Sequence, residues 1–207
     1  RAPRARRQAV AIAIQAEEGE QVAGTQGDTL RVVQNLPGVA RPAFGGGQLV
    51  VWGSAPGDTR VYVDGVEVPA LYHPEGLRGV VISELVQSVQ LLPGAYGASY
   101  GRGLGGVVEV TTKPLPSQGV HGFAAVDFLD ASAMVTAAIG ERVRVGVAAR
   151  TSYLDRILSA VAPDLGQTVP VPRWRDAQAE IAARLRRDEE IALVYLGSGD
   201  DETRTLG

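Results

Sequence analysis

The strict alternation of residues 142–153 constrains the fold of this chain more than any other feature of its sequence. The odd positions are mainly apolar, and the even positions are basic or small. The odd set is Val143, Val145, Val147, Ala149, Thr151 and Tyr153, and the even set is Arg142, Arg144, Gly146, Ala148, Arg150 and Ser152. Period two places these sets on opposite faces of a β-strand. A strand of about 12 residues is long enough to cross a membrane at a tilt, which takes roughly 9 to 11.

Neighbouring segments extend this pattern. Residues 122–128 also alternate, and Gly140-Glu141 predicts a tight hairpin of the periplasmic kind between Ala133–Ile139 and the next strand. Residues 177–186 alternate too, although their Ala, Arg, Glu and Leu content equally suits an amphipathic helix. We favour a strand there because the flanking segments have period two. A soluble, half-buried sheet would show the same alternation, so the pattern by itself leaves both settings open.

Two further segments of this half are interpreted as connections. The Pro-containing stretch Leu154–Arg173 is expected to form an extracellular loop. Gly197–Glu202 is expected to be a solvated acidic turn, because its carboxylates lack the spacing of a calcium loop. Since the chain begins at Arg1 without a signal peptide and stops soon after this turn, we expect a fragment of a longer protein.

Composition narrows the function classes. The 207 residues include 26 Gly and 12 Pro with only 5% aromatics, which suits short strands joined by turns. The absence of Cys excludes disulfides, thiolate metal sites and thiol nucleophiles. A net charge of -3 gives no general attraction to nucleic acid, and no run approaches the ~18 apolar residues of a membrane helix. The basic leader, residues 1–8, is interpreted as a solvated tail, with a site for nucleic acid or lipid headgroups as the alternative.

The first half of the chain predicts short strands, one helix and several turns. Asp28 is positioned to cap a helix over Thr29–Leu36, and Asp64-Gly65 predicts a hairpin in which Asp64 caps its own turn. Val81–Ser88 fits either a short helix or a loop. Strands are expected at Val10–Ile14, Gln48–Trp52, Arg60–Val63, Ser88–Leu92 and Val107–Thr112.

The glycine-rich loop Gly94–Gly106 does not fit a phosphate cradle, because it lacks Gly-Lys-Ser/Thr and leads into a strand. The sequence contains no Ser in a nucleophile elbow with a nearby His, and no paired carboxylates within an apolar segment. The two histidines, His73 and His121, lie far apart in sequence. We therefore expect no enzymatic activity, catalytic residue, cofactor or metal site.

Three motifs of the first half occur in a fixed order. They are Asn35-Leu36-Pro37-Gly38-Val39, then Val61-Tyr62-Val63-Asp64-Gly65-Val66, then residues 89–113 with Tyr100-Gly101-Arg102 and Gly105-Gly106-Val107. Over residues 27–113 they resemble the plug domain of TonB-dependent outer-membrane receptors. The sequence departs from many members at Trp52, Gln90 and Pro93, so the arginine contacts of those places do not carry over. A TonB box is not evident; Val10–Ile14 is a poor candidate.

The resemblance implies an α+β fold: a small plug domain with a mixed β-sheet and short helices, followed by antiparallel β-strands of a truncated transmembrane β-barrel. The plug is assigned to residues 1–115 and the barrel strands to residues 118–207. It further implies plug–barrel contacts through Arg102, Tyr100, Gly105 and Gly106. The ligand-binding candidates that it implies are Phe44, Gly46, Tyr72, His73 and Tyr96.

The function implied is energy-coupled uptake across the outer membrane of a Gram-negative bacterium, with the plug in the barrel lumen. The implied partners are a TonB-type energy transducer on the periplasmic side, outer-membrane lipid, and a small-molecule, metal-chelate, glycan or peptide ligand. The alternative is a plug-like signalling or structural module that binds a protein partner without transport.

Overall fold

A computed structural model describes residues 11–40, 47–101, 103–162, 171–186 and 188–203. The chain divides into two compact units, Arg1–Lys113 and Pro114–Gly207. Phe44, Gly46 and Arg102, three of the candidate site residues, lie outside the described residues. Each unit is built on a five-stranded sheet of its own.

The first unit is built on a five-stranded mixed sheet. In spatial order its strands are β1 (Ile12–Gln15), β6 (Val86–Leu92), β7 (Val107–Thr112), β4 (Arg60–Val63) and β5 (Val66–Val68). The β4–β7 pair is parallel, whereas β1–β6, β6–β7 and β4–β5 are antiparallel. Valine and leucine side chains of the two central strands, β6 and β7, are buried, so the core lies against them.

Short elements complete this unit. Helix α1 (Ala16–Glu20) follows β1 directly, and 3-10 helices occupy Thr29–Asn35 and Ser83–Leu85. Strands β2 (Val39–Ala40) and β3 (Val50–Val51) pair with each other in a separate small sheet. The predicted mixed sheet with short helices is therefore confirmed. The strand predicted at Gln48–Trp52 is only two residues long.

Local turn signals account for two of these features. Asp28 caps the first 3-10 helix, because its Oδ1 accepts a hydrogen bond from Leu30 N at 2.9 Å. Asp64 and Gly65 both have positive φ, 49° and 81°, as a two-residue hairpin turn requires.

The expectation that Asp64 caps its own hairpin is wrong. Its carboxylate instead accepts hydrogen bonds from Thr112 N at 2.9 Å and Thr112 Oγ1 at 2.6 Å. The reason is topological: β4 and β7 run in parallel, so their carboxyl ends lie side by side.

The second unit is an antiparallel meander in which each strand pairs with the next. Its strands are β8 (Val120–Val126), β9 (Asp130–Ile139), β10 (Val143–Ser152), β11 (Val171–Arg186) and β12 (Glu189–Thr203). Residues 177–186 belong to β11, so the strand interpretation is confirmed. Ile139 pairs with Val143 across the Gly140-Glu141 link, as predicted for a tight hairpin.

Two expectations for this unit are wrong. Leu154–Arg173 is not a loop throughout, because helix α2 (Leu154–Val161) begins it and β11 starts at Val171. Gly197–Glu202 is not a turn but part of β12. Its acidic residues lie opposite β11, where Arg175 Nη2 binds Asp201 Oδ2 at 2.8 Å, and this cross-strand pairing extends the strand.

Among the described helices, none is long and apolar enough to cross a membrane.

Candidate functional site

The glycine-rich loop of the first unit is fastened to its sheet by tyrosines. Tyr100 donates a hydrogen bond to Glu109 on β7 at 2.7 Å, and its ring meets that of Tyr62 edge-on with centroids 5.2 Å apart. Tyr96 packs edge-on against Tyr100 and donates a hydrogen bond to the carbonyl of Gly103. Burial and the bond to the Glu109 carboxylate raise the pKa of Tyr100 to about 12. The loop is therefore ordered by its own aromatic side chains.

Two glycines at the end of this loop allow close approach to the preceding turn. A Cβ on Gly105 would lie 2.2 Å from Ser54 Oγ, and the amides of Leu104 and Gly105 both donate to the carbonyl of Asp58. Gly106 has φ +114°, a region that L side chains rarely adopt. These contacts explain why glycine is needed at both positions within the unit. The predicted contacts of Tyr100, Gly105 and Gly106 with a barrel wall stay predictions.

The other candidate residues differ in accessibility. Tyr72 and His73 are 2% and 0% exposed, and Tyr72 donates a hydrogen bond to the carbonyl of Leu30 at 2.6 Å. Tyr96 is half-buried in the aromatic cluster. In this conformation neither Tyr72 nor His73 faces solvent, which sequence alone gave no reason to expect in a loop that contains Pro74 and Gly76.

The second unit presents an unusual distribution of polarity. On one face, side chains of neighbouring strands form four successive rows of apolar or small residues. The rows are Ile139–Val143–Ala183–Ile191, Ala137–Val145–Ile181–Leu193, Val135–Val147–Ala179–Tyr195 and Ala133–Ala149–Ala177–Gly197. Most of the large members of this face are exposed, with Leu193 at 72%, whereas Val143 and Val145 are half-buried.

The opposite face combines buried polar side chains with the buried apolar residues Ala148, Trp174 and Ala182 and the exposed Val194. Its buried polar residues are Asp130, Thr136, Arg150, Ser152, Asp176 and Gln178. Arg150 and Asp176 lie directly opposite each other on β10 and β11, and Nε and Nη2 of Arg150 donate to Asp176 Oδ2 at 2.9 and 2.6 Å. Each residue of this pair needs the other, because removing one leaves a buried, uncompensated charge that destabilises the fold by about 3–5 kcal/mol.

Sequence reasoning missed this ion pair. The parity of the alternation assigned Arg150 to the polar face. The identity of its partner depends on the pairing register of β10 and β11. These two strands are separated in sequence by α2 and residues 163–170. Among the described residues, no group of three or more His, Asp or Glu side chains is arranged to hold a metal ion.

Comparison with solved structures gives the same fold. The siderophore receptor PirA from Pseudomonas aeruginosa matches with a TM-score of 0.60 and 20% identity, over 92% of this chain and 35% of PirA. The alcaligin outer-membrane receptor FauA from Bordetella pertussis matches with a TM-score of 0.62 and 18% identity, over 96% of this chain and 33% of FauA. The outer-membrane transporter YddB from Escherichia coli matches with a TM-score of 0.57 and 12% identity, over 92% of this chain and 33% of YddB.

The chain thus spans about a third of the length of these solved proteins. At such identities the likeness shows the fold alone. No curated protein sequence matches the chain significantly. The sequence profile of the TonB-dependent receptor plug domain matches residues 5–107, which include most of the first unit. Residues 5–107 therefore belong to the TonB-dependent receptor plug domain family, and the chain as a whole has the fold of that domain followed by the first barrel strands of these receptors.

Proposed function

We propose that the chain is part of an outer-membrane transporter that takes up a ligand by energy coupling, with the plug as its gate. The observation that carries the proposal is the reversed polarity of the second unit. Soluble sheets bury apolar side chains, whereas here Leu193 and Val147 are exposed and the Arg150–Asp176 pair is buried. A barrel wall needs this arrangement, because lipid solvates the apolar face and the lumen accepts the polar one.

The plug supplies the gate in this proposal. Its glycine loop is held by Tyr96 and Tyr100, so it moves with the sheet rather than as a free loop. We assign plug–wall contacts to Arg102, Tyr100, Gly105 and Gly106. The ligand contacts are assigned to Phe44, Gly46, Tyr72, His73 and Tyr96. Of these, Tyr72 and His73 require a conformation other than the one described.

The proposed partners are a TonB-type energy transducer on the periplasmic side, outer-membrane lipid and one ligand. PirA is a siderophore receptor and FauA an alcaligin receptor. An iron chelate is therefore the first ligand class to test. Small molecules, glycans and peptides are the other classes, and a transport role leaves no need for catalysis.

The test uses the full-length protein in a Gram-negative host. Membranes are fractionated, and uptake of radioactive iron is measured with catecholate and hydroxamate chelates, in cells with and without TonB. Outer-membrane location with TonB-dependent uptake supports the proposal. Outer-membrane location without uptake of any ligand class, together with a stable protein partner, would favour a signalling or structural module. Recovery in the soluble fraction would exclude the transporter.

A further inference from the structure

Residues 71–80 fold as a small lobe with bonds of its own. Val80 N donates to the carbonyl of Leu71 at 2.9 Å, His73 N donates to that of Arg78 at 3.0 Å, and Tyr72 and Gly79 form an isolated antiparallel bridge. These bonds run across the lobe and are kept if it moves as a body together with Gly47, whose N–H donates to the carbonyl of Pro74 at 2.7 Å. The lobe can therefore keep its shape while its position changes.

Asp28 fastens this lobe to the 3-10 helix Thr29–Asn35. The Asp28 side chain is buried, and its Oδ2 accepts a hydrogen bond from Gly79 N at 2.6 Å. Its Oδ1 accepts from Leu30 N at 2.9 Å and from Ser83 Oγ at 3.2 Å, while Ser83 Oγ accepts from Thr29 N at 3.2 Å. A single carboxylate thus links the start of the helix to both ends of the segment 79–83.

The other polar links between these segments also use side chains. Tyr72 donates from its hydroxyl to the carbonyl of Leu30 at 2.6 Å, and Arg78 donates from Nη1 to the carbonyl of Gln26 at 3.0 Å. Within the described parts of the chain, no backbone–backbone hydrogen bond joins residues 26–31 to residues 71–83. The junction can therefore separate without breaking any strand ladder, as a locally opening unit must.

Gly79 makes the closed arrangement sterically possible. A Cβ at this position would lie 2.3 Å from Leu30 Cδ1 and 2.9 Å from Leu30 Cβ. Any larger residue would push the lobe away from the helix without altering the Asp28 carboxylate. The junction can thus be weakened in two ways, by changing the acceptor at Asp28 or by crowding the packing at Gly79, whose N–H binds that acceptor.

We propose that Asp28 is a latch that holds the lobe 71–80 against the 3-10 helix Thr29–Asn35, and that its release exposes Tyr72 and His73. Both are at most 2% exposed in the closed form, and both lie on the lobe itself. Opening therefore converts two buried groups into groups that a ligand or partner can reach. The closed structure described here is one state of this element.

The test uses the full-length protein with Asp28→Asn and Gly79→Ala. In Asp28→Asn, either orientation of the amide turns its NH2 group toward a backbone N–H, that of Leu30 or that of Gly79. Matched controls are Asp64→Asn, whose carboxylate binds Thr112 N elsewhere in the unit, and Gly57→Ala, where an added Cβ meets nothing within 4 Å. The readouts are hydrogen exchange by mass spectrometry and the rate of carbethoxylation of His73 relative to exposed His121.

Both latch variants should raise His73 modification and exchange in residues 71–83 by about ten- to a hundredfold, and leave the β6–β7 ladder protected. The two control variants should leave His73 as slow as in the wild type. Ser83→Ala, which removes one bond only, serves if Asp28→Asn does not fold. Unchanged His73 modification in the latch variants would overturn the proposal. Equal loss of protection in the β6–β7 ladder would also overturn it, because Asp28 would then support the whole unit.

Discussion

At the residue scale, Tyr100 links the electrostatics of the first unit to its packing. The phenol lies against the ring of Tyr62 and donates its proton to the Glu109 carboxylate at 2.7 Å. Burial disfavours the phenolate, and the carboxylate charge disfavours it further, so the pKa of Tyr100 rises to about 12. The hydroxyl thus stays protonated under conditions in which an exposed tyrosine ionises.

This pKa sets a stability window at high pH. The unfolded phenol ionises near pH 10, whereas the folded phenol keeps its proton until about pH 12. The contribution of Tyr100 to the free energy of unfolding is fully present below pH 10 and is lost as the pH rises toward 12. Tyr100→Phe should lack this loss. The pKa of Tyr100 is measured as the difference between the ultraviolet phenolate titrations of the wild type and of Tyr100→Phe. A midpoint near pH 10 in this difference would contradict a raised pKa for Tyr100.

Single residues also show how far sequence reasoning reaches. The capping role of Asp28 and the turn at Asp64-Gly65 were predictable, because both depend on the conformation of adjacent residues. The bonds from Asp28 to Gly79 and from Asp64 to Thr112 were not, because they join positions 51 and 48 residues apart. Burial of Tyr72 and His73 depends on such distant contacts, which the loop-like composition around Pro74 and Gly76 does not reveal.

At the scale of elements, pairing decides what local propensity leaves open. Residues 177–186 suit a helix by composition, yet β10 on one side and β12 on the other pair with them residue by residue. The same pairing draws Asp200 and Asp201 into β12. Helix α2 escaped prediction because Leu154–Val161 is short and adjoins a Pro-containing stretch.

Strand β12 provides a test of which face of the sheet meets lipid. Leu193 and Val194 are adjacent, are 72% and 56% exposed, and lie on opposite faces. Leu193→Arg should destabilise the full-length protein by about 2–4 kcal/mol and reduce its assembly in membranes, since an arginine on the lipid face is costly. Val194→Arg, on the face that we propose to line the lumen, should cost much less.

The comparison is made by urea unfolding from lipid vesicles and by the yield in the outer-membrane fraction. In a soluble sheet both positions would be surface sites, and both changes would be nearly neutral. Equal effects of the two substitutions would therefore argue against a membrane-facing role for this surface.

At the scale of the whole molecule, the two units differ in what they need to be stable. The first has buried side chains such as Leu30, Val86 and Val108 packed on a mixed sheet. The second is an open sheet whose edges are β8 and β12, with its large apolar side chains exposed. Open edges and an uncovered apolar face favour association with other chains.

Residues 118–207 alone should therefore fail to form a stable monomer in water. We expect aggregation, or a broad thermal transition without cooperativity, because β8 and β12 leave backbone donors and acceptors unpaired. Residues 1–113 alone serve as the control and should be monomeric with a cooperative transition, because their core is internal to that unit. Sizing chromatography and differential scanning calorimetry compare the two. A soluble, cooperatively melting 118–207 polypeptide would show that the sheet is self-sufficient, and the assignment of its strands to a membrane barrel would then fail.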